Sequence, residues 1–478
     1  MRRLVICCDG TWQTALFQPD LARLTNISRL HNAITRQDGR HSPPIEQVKL
    51  YMPGPGTGQE LVLGVASGAL GDGVVSRIRE AYYWLCQNYE PGDEIHLYGF
   101  SRGAYLARLV ASLVCRIGLL DPLSTLTLLP QIFTLLCSKR SLETKSGRRL
   151  QNELDELLDS DAVKLRRQAQ IRAQSGGFLV QVLGVFEIVP TFHLHTLSHE
   201  HDLLPIASHN PFFLSDSDLE PEIAKAVQGL AISEARPSYV PVILRRGGSV
   251  HGQELLQVWL PGCHSDVGGG QAEHDLADVA LNWLVAQVET DLALNLSYIS
   301  QLSQHAVAPW GAHRAQFGLA SSLHHTPRHL PHGIDTSTYQ RLHPSLLAQN
   351  ALDLPKDIRP LVLEASDHPL FVPLTPFEQR RKETWPVSSR RDSAAPEPGR
   401  VSAPSPAPDS PRLLANPRPT AFHAGVRPRG KNVAVGLSRL RQGYRAAVSA
   451  ERGFVEDVKQ LHAKLAGSGD LPRDSRGR

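Results

Sequence analysis

The sequence is poor in cysteine, in net charge and in long apolar runs, and each shortage narrows what it can be. Its 478 residues include six cysteines: Cys7, Cys8, Cys86, Cys115, Cys137 and Cys263. None belongs to a CxxC pair and their spacing is irregular. A disulfide framework or zinc ribbon is not expected, and buried free thiols in a reducing compartment are. The formal net charge is +3. That is far from the strongly basic face of a nucleic-acid binder, so no nucleic-acid partner is expected. Arg2 and Arg3 lead an apolar run that Asp9 soon ends, too short for a secretory signal. The stretch from Ile117 to Cys137 is broken by Asp121, Pro122 and Pro130, a poor membrane span and a better pair of buried helices. A cytoplasmic location is the expectation. No internal repeat is found.

Hydrophobic residues make up 41% of the chain and charged residues 20%, ordinary values for a globular protein with a large core. Leu4 to Cys8, Val48 to Met52, Glu94 to Phe100, Phe178 to Phe186 and Leu256 to Leu260 read as strands. Val74 to Tyr89, Ala104 to Cys115 and Asp275 to Val288 have helical spacing. This alternation predicts an α/β fold, a mostly parallel sheet with helices on both faces. Residues 124–177 read as a helical insertion over the C-terminal edge of that sheet. The expected organisation is a catalytic domain over 1–290, an extension packed on or near it over 291–385, a disordered linker over 386–430 and a C-terminal helix and tail over 431–478. The linker is rich in Ser, Pro, Ala and Arg, which cannot bury enough surface to order themselves.

Gly99-Phe100-Ser101-Arg102-Gly103 is a G-x-S-x-G motif with a strand before it and a helix after it. A nucleophile elbow needs that context, and it needs small residues at the Gly99 and Gly103 positions because the turn is tight. Ser101 is therefore the candidate nucleophile. The histidine should follow later in the chain. His264 lies in a glycine-rich loop directly after a strand and is the candidate base. Glu187, at the end of the 178–186 strand, is the first candidate for the acid; Asp266 is the alternative and Asp202 a third. Backbone N–H groups for an oxyanion would come from Arg102 and from Gly10 or Thr11.

Five segments occur together in one known family: CDGTW from Cys8, TNISRL from Thr25, YMPGPGTG from Tyr51, YEPGDEIHLYGFSRGAYLAR from Tyr89 and VWLPGCHSDVGGG from Val258. Over residues 1–290 the chain resembles the α/β-hydrolase domain of fungi and bacteria that includes the catalytic domain of type VI secretion phospholipase effectors. The resemblance implies an α/β-hydrolase-like fold and hydrolysis of carboxylic esters, above all phospholipid acyl esters, with Ser101 and His264 as nucleophile and base. It places the acid at Glu187, where the family has an aspartate in a W-D-T-V run and this chain reads Phe186-Glu187-Ile188-Val189. The family's A-L-A-L-D-E-H-R run reads GLAISEAR here, with Ser233 and Ala235 as departures and Glu234 and Arg236 retained.

No cofactor or metal is implied. A lipid substrate would bring transient membrane contact, which the linker's Arg390 and Arg391, mixed with Asp392 and Glu397, support only weakly. The sequence leaves the oligomeric state open. Two other readings compete. His193, His195, His199, Glu200, His201 and Asp202 form a ligand-like cluster that would suit a metal-dependent hydrolase. The Glu187 and GLAISEAR departures would also suit a hydrolase fold that only binds.

Overall fold

Adjacent residues on one strand face opposite ways, so a run that is apolar throughout must be covered on both faces. The first strand illustrates this. In the computed structural model its Leu4, Ile6 and Cys8 enter one buried cluster, while Val5 and Cys7 enter another. The structure describes residues 1–386 apart from 12, 16–17, 19, 56–68, 137–144, 159, 191–216, 249, 304–305, 317–327, 332 and 365–367.

The strands are β1 (Arg3–Cys8), β2 (Gln37–Asp38), β3 (Ile45–Met52), β4 (Glu94–Phe100), β5 (Val180–Phe186), β6 (Asp218–Leu219), β7 (Ile223–Ala231), β8 (Arg245–Arg246), β9 (Glu254–Leu260) and β10 (Gln340–Leu342). Eight of them form one sheet in the order β10-β9-β7-β5-β4-β1-β3-β2. Its strands run parallel except β2, which pairs antiparallel with β3. β6 and β8 form a separate parallel pair. The helices are α1 (Asn26–Ala33), α2 (Ala69–Asn88), α3 (Arg102–Ile117), α4 (Pro122–Thr127), α5 (Leu129–Leu136), α6 (Lys145–Leu158), α7 (Asp161–Ala173), α8 (His264–Gly268), α9 (Asp275–Val288), α10 (Leu296–Leu302), α11 (Arg359–Glu364) and α12 (Pro376–Glu383). One face of the sheet packs on α2 and α3 through Ile78, Tyr82, Leu85 and the apolar side of α3. The other packs on α1 and α9 through Ile27, Leu30, Trp283 and Leu284. This is the α/β fold with a mostly parallel sheet that the alternation of elements predicts.

The expected strands are present with ends moved by up to three residues, and the strand at 94–100 and the helix at 275–288 keep their limits. β7 and β10 were not anticipated. β7 carries Lys225 and Gln228 inside its run, which breaks the apolar pattern. Gln228 is nonetheless buried and bonded to the Gln257 side chain at 2.7 Å and to the Val242 carbonyl at 2.9 Å. β10 has three residues, too few to show a period.

The described residues of the insertion are mostly helical, as expected, but they do not cover the C-terminal edge of the sheet. The insertion leaves α3 at Gly118 and returns to β5 through Gln174, both at the opposite edge. Gln170 bonds both the N–H and the carbonyl of Leu119, at 2.8 and 2.7 Å. Gln174 bonds the carbonyl of Asp93, just before β4, at 2.7 Å. Arg166 pairs with Asp121, and Arg167 with Glu222. Its Leu129, Ile132, Phe133, Leu154 and Val163 extend the cluster on α2 and α3. The reason is connectivity: α3 runs from the C-terminal edge of the sheet to the other edge, so chain inserted after it starts there.

The residues after 290 are integral to the sheet. β10 pairs with β9, and Leu342, Leu346, Leu354, Ile358 and Leu370 close a third buried cluster around Trp259. Residues Met1–Ala394 make one compact unit. The expected linker from 387 onward, and the tail, lie outside the described residues. No helix among the described residues is long and apolar enough to cross a membrane. Cys7, Cys8, Cys86, Cys115 and Cys263 are buried free thiols; Cys137 lies outside the described residues.

A backbone-to-backbone constraint lies where β1, β4 and α3 meet. A Cβ on Gly99 would sit 2.5 Å from the carbonyl oxygen of Gly103 and 2.6 Å from the Ala104 Cα. A Cβ on Gly103 would sit 2.3 Å from the carbonyl oxygen of Asp9 and 2.4 Å from that of Cys8. Backbone atoms cannot step aside as flexible side chains do. Gly103→Ala is expected to lower unfolding stability by about 3 kcal/mol, measured by urea denaturation. An unchanged midpoint would mean the two backbones can part cheaply.

Candidate active site

The site grows from two neighbouring strand ends. Phe100 ends β4 and is paired with Phe186 at the end of β5. The next residue on each strand has a positive φ: Ser101 at 58° and Glu187 at 50°. Few side chains adopt this left-handed region, and such strain persists only where the surroundings enforce it. For Ser101 they do so by a 2.9 Å bond from its N–H to the Phe186 carbonyl, and by the two glycines that let the turn close. For Glu187 a 3.0 Å bond from its N–H to the Gly229 carbonyl does the same on the β7 side.

His264 opens α8 after β9, across β7 from Glu187. Its ring lies between Phe100 and Tyr239, with both centroids 4.7 Å away. Its Nε2 is 2.8 Å from Ser101 Oγ, and its Nδ1 is 3.1 Å from Glu187 Oε2. All three side chains are buried, with Glu187 at 0% exposure. The sequence candidates Ser101, His264 and Glu187 are therefore brought into one hydrogen-bonded row. The longer glutamate reaches the imidazole where the family pattern has aspartate. The row can move a proton from the hydroxyl to Nε2 while the carboxylate faces Nδ1. Burial lowers the His264 pKa, and the Glu187 hydrogen bond and charge only partly offset it. The ring is thus neutral at pH 7 and able to accept a proton.

Asp266 does not serve this histidine. Its Oδ2 accepts the N–H groups of Cys263 at 2.7 Å and Gln316 at 2.9 Å. Burial raises its pKa to about 6 against those two bonds. Two residues along the short α8, its side chain points back to cap the helix rather than toward the ring. The expectation of Asp266 as alternative acid is corrected on that ground. Asp202 and the cluster from His193 to Asp202 lie outside the described residues. Among the described residues no group of three or more His, Cys, Asp or Glu could hold a metal ion.

The expected oxyanion donors also separate. The Arg102 N–H sits in the first turn of α3, where a helix offers it no acceptor. The Gly10 N–H is already bonded to Asp9 Oδ1 at 2.8 Å. Gly10 is therefore corrected as a donor, because an N–H committed to a carboxylate has no second proton to give. Thr11, the next residue, remains. Asp9 holds this loop: its Oδ2 accepts the hydroxyls of Ser28 and Tyr51, each at 2.6 Å. Burial raises its pKa, and these bonds counteract the rise.

Several positioning groups were missed from sequence. Asn26 donates to the carbonyls of Val267 at 2.9 Å and Ala277 at 2.7 Å, tying α1 to the histidine loop. Glu234 accepts the His264 N–H at 3.2 Å and grips Arg236 at 2.8 and 2.7 Å. Burial alone would raise the Glu234 carboxyl; the Arg236 bonds and charge outweigh it and hold it at about 2. Arg236 lies 3.6 Å over the Tyr239 ring that flanks His264. Arg328, far along the chain, donates to Glu187 Oε2 at 2.6 Å. Glu234 and Arg236 carried a signal, their retention in the GLAISEAR run; Arg328 carried none. A second Ser–His–Glu row also exists: His343 bonds Ser345 Oγ at 2.7 Å and Glu378 Oε1 at 2.9 Å. Ser345 is fully buried and Glu378 caps α12 through Thr375, so this row braces the extension. Two cavities of about 250 and 310 Å³ lie elsewhere, the first beside His96 and Lys225 and the second beside Tyr89 and Gln170.

Fold and site together describe an α/β protein with a buried Ser–His–Glu row at the C-terminal edge of a mostly parallel sheet. The chain belongs to the family described as T6SS phospholipase effector Tle1-like, catalytic domain, whose model matches residues 2–287. That is a family of lipid-ester hydrolase domains. Among curated proteins it is similar to an uncharacterised protein of Saccharomyces cerevisiae, 33% identical over 133 residues, which are 25% of this chain and 18% of the yeast protein. A crystal structure of an uncharacterised Pseudomonas aeruginosa protein is 18% identical with a TM-score of 0.31, covering 61% of this chain and 46% of that one. The Tle1 effector bound to the VgrG spike of the type 6 secretion system is 19% identical with a TM-score of 0.29, covering 56% of this chain and 50% of that one. The chain thus spans half or less of the length of each of these relatives.

The burial of His264 makes a direct prediction. Its ring is expected to titrate below the ordinary histidine value of 6.5, as followed by NMR of the ring resonances. Because the folded value is the lower one, the neutral ring contributes stability above pH 6.5 that is lost as pH falls through the folded value. A ring that titrates above 6.5 would mean that the Glu187 charge outweighs burial.

Proposed function

We propose that the chain is a serine hydrolase of carboxylic esters that acts on lipid or phospholipid acyl chains through an acyl-enzyme. The observation that carries this reading is the 2.8 Å contact between His264 Nε2 and the hydroxyl of a serine held at positive φ between two glycines. Membership of a phospholipase effector family supports lipid as the substrate class.

In this reading Ser101 Oγ attacks the ester carbonyl carbon as His264 Nε2 takes the hydroxyl proton. The carbonyl oxygen becomes an oxyanion that accepts hydrogen bonds from the backbone N–H groups of Arg102 and Thr11. Glu187 faces the Nδ1 side of the imidazolium. When the tetrahedral adduct collapses, the C–O bond to the alcohol breaks and the alcohol leaves with the proton from Nε2. Water then attacks the acyl-serine, gives its proton to Nε2 and releases the fatty acid, and Ser101 recovers its hydrogen. The preorganised row removes the need to orient these groups during the reaction.

Purified protein is expected to hydrolyse a phospholipid, a short-chain nitrophenyl ester, or both. Ser101→Ala should lower kcat by at least about 10³-fold without loss of folding. A fluorophosphonate probe should label wild-type protein at Ser101 and leave the variant unlabelled. Equal hydrolysis by both proteins would place the chemistry at another residue. Absence of hydrolysis and of labelling in folded wild type would favour a hydrolase fold that only binds.

A further inference from the structure

We infer that Arg328 is a positioning residue for the ester hydrolysis, a cation that the extension supplies to hold the Glu187 carboxylate against His264 and to balance its charge. The inference rests on the serine-hydrolase reading above. Arg328 lies beyond the span matched by the family, which ends at residue 287. Its guanidinium joins two parts of the site: Nη2 donates to Glu187 Oε2 at 2.6 Å and Nη1 to the Tyr239 carbonyl at 2.7 Å. The side chain is 4% exposed, and that of Glu187 is 0% exposed. Two residues on, Leu330 is packed in the cluster with Trp259 and Ile232, so the segment is anchored and the arginine is not a free surface group.

The carboxylate is saturated by this arrangement. Oε1 accepts the N–H of Ala231 at 2.8 Å. Oε2 meets His264 Nδ1 at 3.1 Å and Arg328 Nη2 at 2.6 Å. With the Ala231 bond alone, the longer glutamate could rotate its second oxygen away from the ring. A planar guanidinium fixed at its other end to Tyr239 prevents this.

The charges follow the same logic. A buried carboxylate beside a neutral imidazole favours a proton on that imidazole, and a protonated base cannot accept the proton of Ser101. Arg328 cancels the Glu187 charge in the resting state. During attack the imidazolium and the oxyanion appear together, so the site stays balanced throughout. The other groups facing His264 are Glu234 paired with Arg236, Tyr239 and Phe100 on its flanks, Ser101 and Arg102 at α3, and Cys263 and Asp266 on its own segment. Glu234 already has its cation in Arg236, while Asp266 bonds backbone N–H groups. Arg328 is therefore the cation in direct contact with Glu187 among the described residues.

The test uses the full chain with Arg328→Met, Arg328→Lys and Ser101→Ala. It measures kcat and KM for a nitrophenyl ester from about pH 5 to about pH 9, and the rate of fluorophosphonate labelling. Arg328→Met is expected to lower kcat by about 10-fold or more with little change in KM, and to move the acid limb of the profile to higher pH. Arg328→Lys keeps the charge but loses the fork. It should return the limb toward its wild-type position while kcat recovers only in part. If the methionine variant does not fold, the lysine variant carries the test by the same two readouts. A wild-type profile in Arg328→Met would overturn the inference. So would a loss of kcat with an unmoved acid limb, or a lysine variant whose limb stays shifted, since either marks a merely structural arginine. Failure of the underlying reading is distinguishable, because Ser101→Ala would then hydrolyse the ester like wild type.

Discussion

A carboxylate without solvent exposure stands at the end of β5, and much of the site is built around it. Removing an ion of this size from water costs several kcal/mol after relaxation, and the cost is offset only when hydrogen bonds and countercharge surround it. Glu187 receives one N–H from the end of β7, one edge of the His264 ring and one arm of Arg328. These groups come from sites up to 141 residues away in sequence. The sheet order makes this convergence possible: β4, β5, β7 and β9 lie side by side, and their C-terminal ends bring Ser101, Glu187, Ala231 and His264 to one edge.

The same edge shows how the shared motifs work as packing devices. The Asp9 carboxylate gathers Gly10, Ser28 and Tyr51, fixing the loop beside α3. Asn26 spans from α1 to the carbonyls of Val267 and Ala277. Gly268 and Phe100 leave no room for another atom between them, since a Cβ on Gly268 would fall 2.0 Å from the Phe100 ring. The long sequence matches that mark the family are thus short-range solutions to one problem, the holding of a serine and a histidine within hydrogen-bond reach.

Much of this was legible before the fold was known. The strand–glycine–serine–glycine–helix order marks a tight strand-to-helix turn at Ser101 because its steric demands are local, and the structure puts Ser101, Glu187 and His264 in one row. The misreadings share a cause. Asp266 is near His264 in sequence, but a helical turn aims its side chain at the Cys263 N–H. Gly10 looked like a free donor, but the side chain just before it takes its N–H. The insertion looked like a cap because capping insertions are common in such sheets, yet the direction of α3 starts it at the other edge.

The sequence by itself determined the α/β class, the position of the tight strand-to-helix turn and the identity of the serine and histidine candidates, because turn sterics and apolar periodicity act over a few residues. Only the tertiary structure decided which carboxylate meets the imidazole, which loop N–H stays free and that Arg328 reaches the site. Those outcomes depend on distances between residues far apart in the chain, and such distances are set by strand order and packing. A lone arginine in an irregular segment has no periodicity to reveal it. Its contact with Glu187 becomes visible only when β10 joins the sheet and draws the extension against β9.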